Sequence, residues 1–234
     1  SRKKWKSTGN QPADKYRRLL LHISSQTYSQ RIEKEETYNQ NYLILEPELT
    51  LSGGLFLTSL MSMEFDKKLR TYRHEEIPNF KYSYDDYLQF SPLVIVYGLK
   101  SFGVESRSTW GELLVSNSFS ILLMQGIVYS SKTIIARQRP DFSASNSFPS
   151  GHTATTFTFA HILHKEYGGI SPWISIGGYS LATATAFSRV MNNRHWLSDI
   201  LFGAGIGIIS TELGYYFSGL IFRKPKQRNL LPSI

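Results

Sequence analysis

The 234-residue sequence contains no cysteine, which excludes disulfides and thiolate-ligated metal centres. Charge is also scarce: Asp, Glu, Lys and Arg make up 19% of the chain, against roughly 25% in soluble domains. Acidic residues are the rarer sign, 18 against 26 basic ones, giving a formal net charge of +8. That balance suits nucleic acid, anionic headgroups or a phosphorylated substrate. Nucleic acid fits least well, because there is no recognised binding motif and no basic helix with a clean face. Period-2 alternation is missing too, and β-branched residues are diluted by Gly, Ala and Leu. The reading is all-α.

What is present is unevenly spread. Mean hydropathy is only −0.24, but that average joins two unlike parts. Residues 1–48 carry nine Lys/Arg and six Asp/Glu, whereas residues 110–222 carry eleven charges in 113 positions. The chain therefore divides into a polar lead at 1–48, a helical domain at 49–222 and a basic tail at 223–234. Within the lead, residues 16–23 (YRRLLLHI) can form an interfacial amphipathic helix, or a surface helix on the main body.

Six apolar segments follow, at 49–63, 88–104, 113–135, 153–163, 170–188 and 196–222, with a charged, aromatic connector at 66–86. A spanning helix needs about 20 mainly apolar residues. The third and fifth segments meet that length. The first and fourth fall short, and the sixth holds Glu212 at mid-depth, costly unless it faces other helices. The expectation is a helical bundle of six transmembrane helices; a soluble or peripheral bundle is the alternative.

Three polar islands interrupt the apolar second half. They are Lys132-x6-Arg139-Pro140, then Pro149-Ser150-Gly151-His152, then Ser188-Arg189-x5-His195-x3-Asp199. Three converging cations, Lys132, Arg139 and Arg189, can neutralise a phosphoryl group. Ser150 and Gly151, just before a helix, offer backbone N–H groups at its positive end. Of the two histidines, one can attack phosphorus and the other can protonate the leaving oxygen. Asp199, four residues beyond His195, can accept its N–H and fix its tautomer.

Each island also has an ordinary explanation. Lys132, Arg137 and Arg139 can cap a helix C-terminus and meet headgroups, Pro149–His152 can be a plain turn, and His195 with Asp199 can be a surface pair. Topology favours convergence. Lys132 and Arg139 end the third segment and His152 starts the fourth; Arg189 ends the fifth and His195 starts the sixth. Antiparallel helices of similar length then bring all of them to one end of the bundle.

The three islands, matched at every position and in order, resemble the signature of the type 2 phosphatidic acid phosphatase superfamily. That group includes bacterial acid phosphatases and vanadium haloperoxidases. The resemblance implies His195 as nucleophile, Asp199 as its partner and His152 as general acid. Lys132, Arg139, Arg189, Ser150 and Gly151 would hold the phosphate, without metal or other cofactor. Two departures stand out. Ala136 occupies a position where many relatives have Gly, and only eight residues, 141–148, separate the first two islands, leaving little room for a lid.

Within that family the chain looks most like bacterial membrane lipid phosphatases, the lipid A phosphatases foremost. Undecaprenyl diphosphate, phosphatidylglycerol phosphate and phosphatidic acid are further candidate substrates. The expected partners are a phosphorylated lipid and the membrane, and no nucleic acid. Six spans and the positive-inside rule put the site on the periplasmic face of a bacterial inner membrane, against which the basic stretch 66–73 stands on the wrong side. The rival functions are a vanadate-dependent haloperoxidase and a non-catalytic phosphate-lipid binder or transporter.

Overall fold

The computed structural model describes residues 46–222. The amphipathic helix expected at 16–23 and the basic tail lie outside the described residues. Among the described residues there are α-helices and no strand. The helices are α1 (Glu46–Glu76), α2 (Asp85–Leu88), α3 (Ser91–Ser101), α4 (Trp110–Ile135), α5 (Gly151–Tyr167), α6 (Pro172–Met191) and α7 (Leu197–Phe222). The six longer ones match the six apolar segments in order. Two of them, α4 and α7, are long and apolar enough to cross a membrane by length and composition. Six longer helices are present among the described residues, but the expected count of six spans is not confirmed.

One boundary differs from the expectation. The charged stretch after residue 63 was expected as a connector, but α1 runs through it to Glu76. Lys, Arg and Glu are good helix formers, and Asp66 and Arg73 are buried against the body of the protein. The helix stops just before Pro78, whose ring disfavours helical backbone in the residue ahead of it. Further on, Pro92 falls inside the second apolar segment, 88–104, without breaking its helix as a mid-helix proline would. It sits in the first turn of α3, where its missing N–H has no helical partner to lose.

Helix α7 forms the axis of the bundle and packs against α1, α4 and α5, while α5 also packs on α6. Met124, Val128, Ala154 and Ile206 make a buried cluster, with Phe56 and Phe202 against it. The α5–α7 contact is close because of Gly203 and Gly207. A Cβ at Gly203 would stand 2.7 Å from the Ser150 carbonyl, and one at Gly207 would stand 2.7 Å from the Ala154 carbonyl. Small residues four apart let two backbones meet in this way. The contact brings the starts of α5 and α7 together, and the Ser150 N–H donates to the Asp199 carbonyl at 3.0 Å.

The mid-helix Glu212 is buried, and its charge is met from α5. Glu212 Oε1 lies 2.6 Å from His161 Nε2, and Oε2 accepts from Lys165 Nζ at 2.9 Å. A paired carboxylate facing helices rather than lipid removes the cost foreseen for it.

Candidate active site

Helix α4 starts at a capping box, Thr109 with Glu112, and its last turn presents Lys132. Its C-cap, Ala136, has φ 46° and ψ 41°, the left-handed conformation that glycine adopts most readily. The departure from the family pattern at this position thus falls where the backbone favours Gly. The chain then turns sharply towards α5. Lys132 Nζ donates to the Asn146 carbonyl at 2.5 Å and Arg139 Nε to the Asn146 side-chain oxygen at 2.9 Å. One residue of the short 141–148 loop therefore aligns two of the three expected cations.

Helix α5 begins at Ser150, whose hydroxyl accepts from the Thr153 N–H and the Thr153 hydroxyl. Ser150 is fully buried, so its hydroxyl serves the helix start. Gly151 follows, and a Cβ there would lie 3.9 Å from Lys132 Cε. The lysine stem thus runs across the positive end of α5. His152, one residue on, reaches the wall of an open cavity of about 760 Å³ together with Arg139, Arg189 and Arg194.

His195 lies in the turn before α7 rather than on the helix, and it is buried. Its Nδ1 is 2.8 Å from the Ser147 carbonyl and 3.5 Å from Asp199 Oδ2. A carbonyl can only accept, so Nδ1 carries the proton and Nε2 keeps its lone pair. Among the described residues Nε2 has no hydrogen-bond partner. Burial lowers the imidazole to about 4, while the hydrogen bond and charge of Asp199 pull it upward. His195 is neutral at physiological pH. The tautomer expected from Asp199 is thus set first by Ser147.

Asp199 is fully buried and shared among several donors. Arg137 Nη1 reaches Oδ1 at 2.8 Å, the Trp196 N–H reaches Oδ2 at 2.9 Å, and the Ser147 hydroxyl also donates to Oδ2. Arg137 in turn pairs with Asp66 of α1 at 2.8 Å, and Asp66 accepts from the Ser198 N–H and hydroxyl. Two carboxylates therefore satisfy the exposed N–H groups at the start of α7.

The third cation, Arg189 at the end of α6, is buried and donates from Nη1 to Asp85 Oδ2 at 2.6 Å. Its Nε is buried without a partner among the described residues. Such a donor is costly to leave unmade, and an oxyanion would satisfy it. Burial and then the charges of Arg189 and Arg194 lower Arg139 from its ordinary value, against the opposing charges of Asp141 and Asp199.

The structure brings the sequence-predicted set to one end of the bundle. The charges felt by Lys132 are those of Arg139, Asp199 and Arg189, and those felt by His195 are Asp199, Lys132 and Arg189. The cavity wall holds Arg139, Arg189 and His152, but neither Lys132 nor His195. Sequence reasoning missed Asp66, Asp85, Asp86, Asn146 and Ser147, and treated Arg137 as a helix cap. The available signals were acids stranded among apolar and aromatic residues, and the Asn-Ser pair inside the gap between two islands.

A helical bundle whose end gathers three cations and two histidines can hold an oxyanion. Residues 113–223 match the model of the PAP2 superfamily. It is 44% identical over 176 residues to the lipid A 1-phosphatase of Porphyromonas gingivalis, covering 75% of this chain. The chain spans 40% of the length of that relative. Among solved structures it is similar to Aquifex aeolicus LpxE, with TM-score 0.49 and 21% identity, covering 64% of this chain and 94% of that one. It is also similar to a transmembrane PAP2-type phosphatidylglycerolphosphate phosphatase from Bacillus subtilis. That likeness has TM-score 0.49 and 22% identity, covering 74% of this chain and 98% of that one.

Proposed function

We propose that this protein is a metal-independent phosphatase that removes phosphate from a lipid monophosphate or diphosphate through a phosphohistidine. The observation that carries the reading is His195. Its Nδ1 proton is held by the Ser147 carbonyl, its Nε2 is unpartnered among the described residues, and Lys132 and Arg189 supply the charge beside it. In the first step Nε2 attacks phosphorus, the ester P–O bond breaks, and His152 gives its proton to the leaving oxygen. In the second, water attacks the phosphohistidine, His152 takes the water proton, and phosphate leaves with His195 restored. Lys132, Arg139 and Arg189 hold the phosphoryl oxygens, with the Gly151 amide at the α5 N-terminus and Ser150 setting that terminus in place. Asp199 steadies the imidazolium character that His195 gains during attack.

A lipid A phosphate is the favoured substrate, on the strength of the Porphyromonas gingivalis relative. The setting is a bacterial membrane. Leu122 and Ile134 of α4, Met61 of α1 and Trp173 of α6 are 70%, 81%, 81% and 75% exposed, an apolar exterior suited to lipid. We assign the site to the periplasmic face by the positive-inside rule, from the basic composition of residues 1–48 and 223–234 beside the catalytic domain at 49–222. The objection from residues 66–73 weakens, since Arg70 donates to the Pro140 carbonyl and Arg73 to the Met191 and Phe80 carbonyls. Those cations bind the protein itself.

The test is trapping by an alkaline detergent quench with a ³²P-labelled lipid phosphate. Wild-type protein should yield an acid-labile, base-stable phosphoenzyme that His195→Ala lacks. Phosphate release with no such adduct would overturn the covalent route.

A further inference from the structure

The stretch between α1 and α3 crosses the mouth of the site instead of looping away from it. Residues 78–83, with Asp85 and Asp86 of α2, form much of the cavity wall. The crossing is pinned at several points. Arg73 Nη2 donates to the Phe80 carbonyl at 2.9 Å, and the Asn192 side chain exchanges two hydrogen bonds with the Tyr82 backbone, at 2.9 Å and 2.7 Å. The α2 backbone is held in turn, since Gln89 Nε2 donates to the Asp86 carbonyl at 2.8 Å. The position of Asp86 is therefore built in from both sides.

That position matters because Asp86 Oδ1 lies 2.9 Å from His152 Nε2. The same oxygen is 3.5 Å from Arg189 Nη1. Arg189 already has a closer carboxylate, Asp85 at 2.6 Å, so Asp86 is the carboxylate left for the histidine. Asp86 is about half exposed and His152 nearly a third, so water can enter and proton exchange at this pair is open.

We propose that Asp86 is a positioning residue for the general acid: it holds His152 by Nε2, stabilises its protonated form and leaves Nδ1–H to serve the leaving oxygen. This rests on the phosphatase reading and adds to it a residue outside the three motif islands. The chemistry is that of a carboxylate–imidazole pair. With Nε2–H donated to Asp86, the ring is fixed in orientation. On cleavage the Nδ1 proton passes to the departing alkoxide, and Asp86 keeps the remaining imidazole proton in hydrogen bond. The charged groups facing His152 are Asp86 and Asp85 from α2 and Arg189 from α6. The two carboxylates oppose Arg189, and only Asp86 touches the ring.

Leaving-group dependence tests this. An alkyl phosphate expels a poor leaving group that needs a proton, whereas 4-nitrophenyl phosphate expels one that does not. In Asp86→Asn, kcat with dodecyl phosphate in detergent micelles should fall about tenfold more than with 4-nitrophenyl phosphate, since proton donation contributes ~10²-fold or more. The basic limb of the alkyl phosphate pH profile should move to lower pH, because the imidazolium loses its counter-charge. Asp86→Glu should restore part of the loss, and inhibition by inorganic phosphate should stay unchanged.

Equal losses on both substrates would overturn the proposal, as would a gain in activity marking Asp86 as a plug. The His152 titration, followed by NMR in wild type and Asp86→Asn, decides the same point without turnover. Its pKa should drop by about one unit, and an unchanged titration would refute the pairing. If wild-type protein hydrolysed neither substrate, the phosphatase reading would fall, while the titration would still judge Asp86.

Discussion

A histidine becomes a nucleophile here through a backbone carbonyl. With the Ser147 oxygen 2.8 Å from Nδ1, the lone pair of His195 is confined to Nε2. The acid limb of kcat/KM should therefore fall near pH 4, where the buried imidazole finally takes a proton. The stability consequence has a definite sign. Between the ordinary value of 6.5 and about 4, the unfolded chain binds a proton that folded His195 refuses. Stability should decline as pH falls through that window, and His195→Gln should remove that part of the slope in chemical denaturation while abolishing turnover. Arg137 gives a second prediction at this scale. Its fork spans Asp66 and Asp199, each at 2.8 Å, which a point charge cannot match. Arg137→Lys should lower kcat about tenfold or more through misplacement of Asp199, with phosphate inhibition nearly intact. The two-histidine, three-cation inventory was legible in the sequence. The roles of Ser147, Arg137 and Asp66 were not, because each depends on contacts more than 40 residues away in the chain.

At the scale of elements, the ends of helices do the positioning. Helix α4 ends in a left-handed alanine, which costs roughly 1–2 kcal/mol in L-residues. Ala136→Gly should therefore raise unfolding stability by about 1 kcal/mol, read as a higher thermal midpoint, with kcat unchanged within about twofold if the turn geometry persists. Helices α5 and α7 meet through Gly203 and Gly207, so their N-termini share one level and His152, His195 and Asp199 can serve one phosphoryl group. Helix existence and order followed from the apolar runs. The end of α1 did not. Hydropathy marks where lipid or core begins, whereas the helix continues through charged residues as long as they find partners, as Asp66 and Arg73 do.

At the scale of the whole molecule, the site lies at one end and the start of α1 and the end of α7 lie at the other. Apolar side chains cover much of the outside, while ion pairs such as Glu212 with Lys165 are kept inside. That inversion of ordinary surface chemistry is what a bilayer requires. Phosphate release from lipid A, prenyl diphosphate and glycerophospholipid phosphates should persist in EDTA, with lipid A preferred. Loss on chelation, recovered by a divalent cation, would refute the metal-independent mechanism. The lid question resolves at this scale also. The loop at 141–148 is indeed short, but the crossing at 78–86, remote in sequence, supplies the cavity wall instead.

The sequence by itself determined the helical class, the order of the segments, the cation and histidine inventory, and the end of the bundle at which it gathers. Those follow from composition, spacing and the fixed rise of a helix, all of which are local quantities. Tertiary structure alone decided which nitrogen of His195 is free, which carboxylate meets His152, and what lines the mouth of the cavity. The physical reason is reach. A hydrogen bond fades beyond about 3.2 Å, while sequence spacing places a side chain only to within a helical turn.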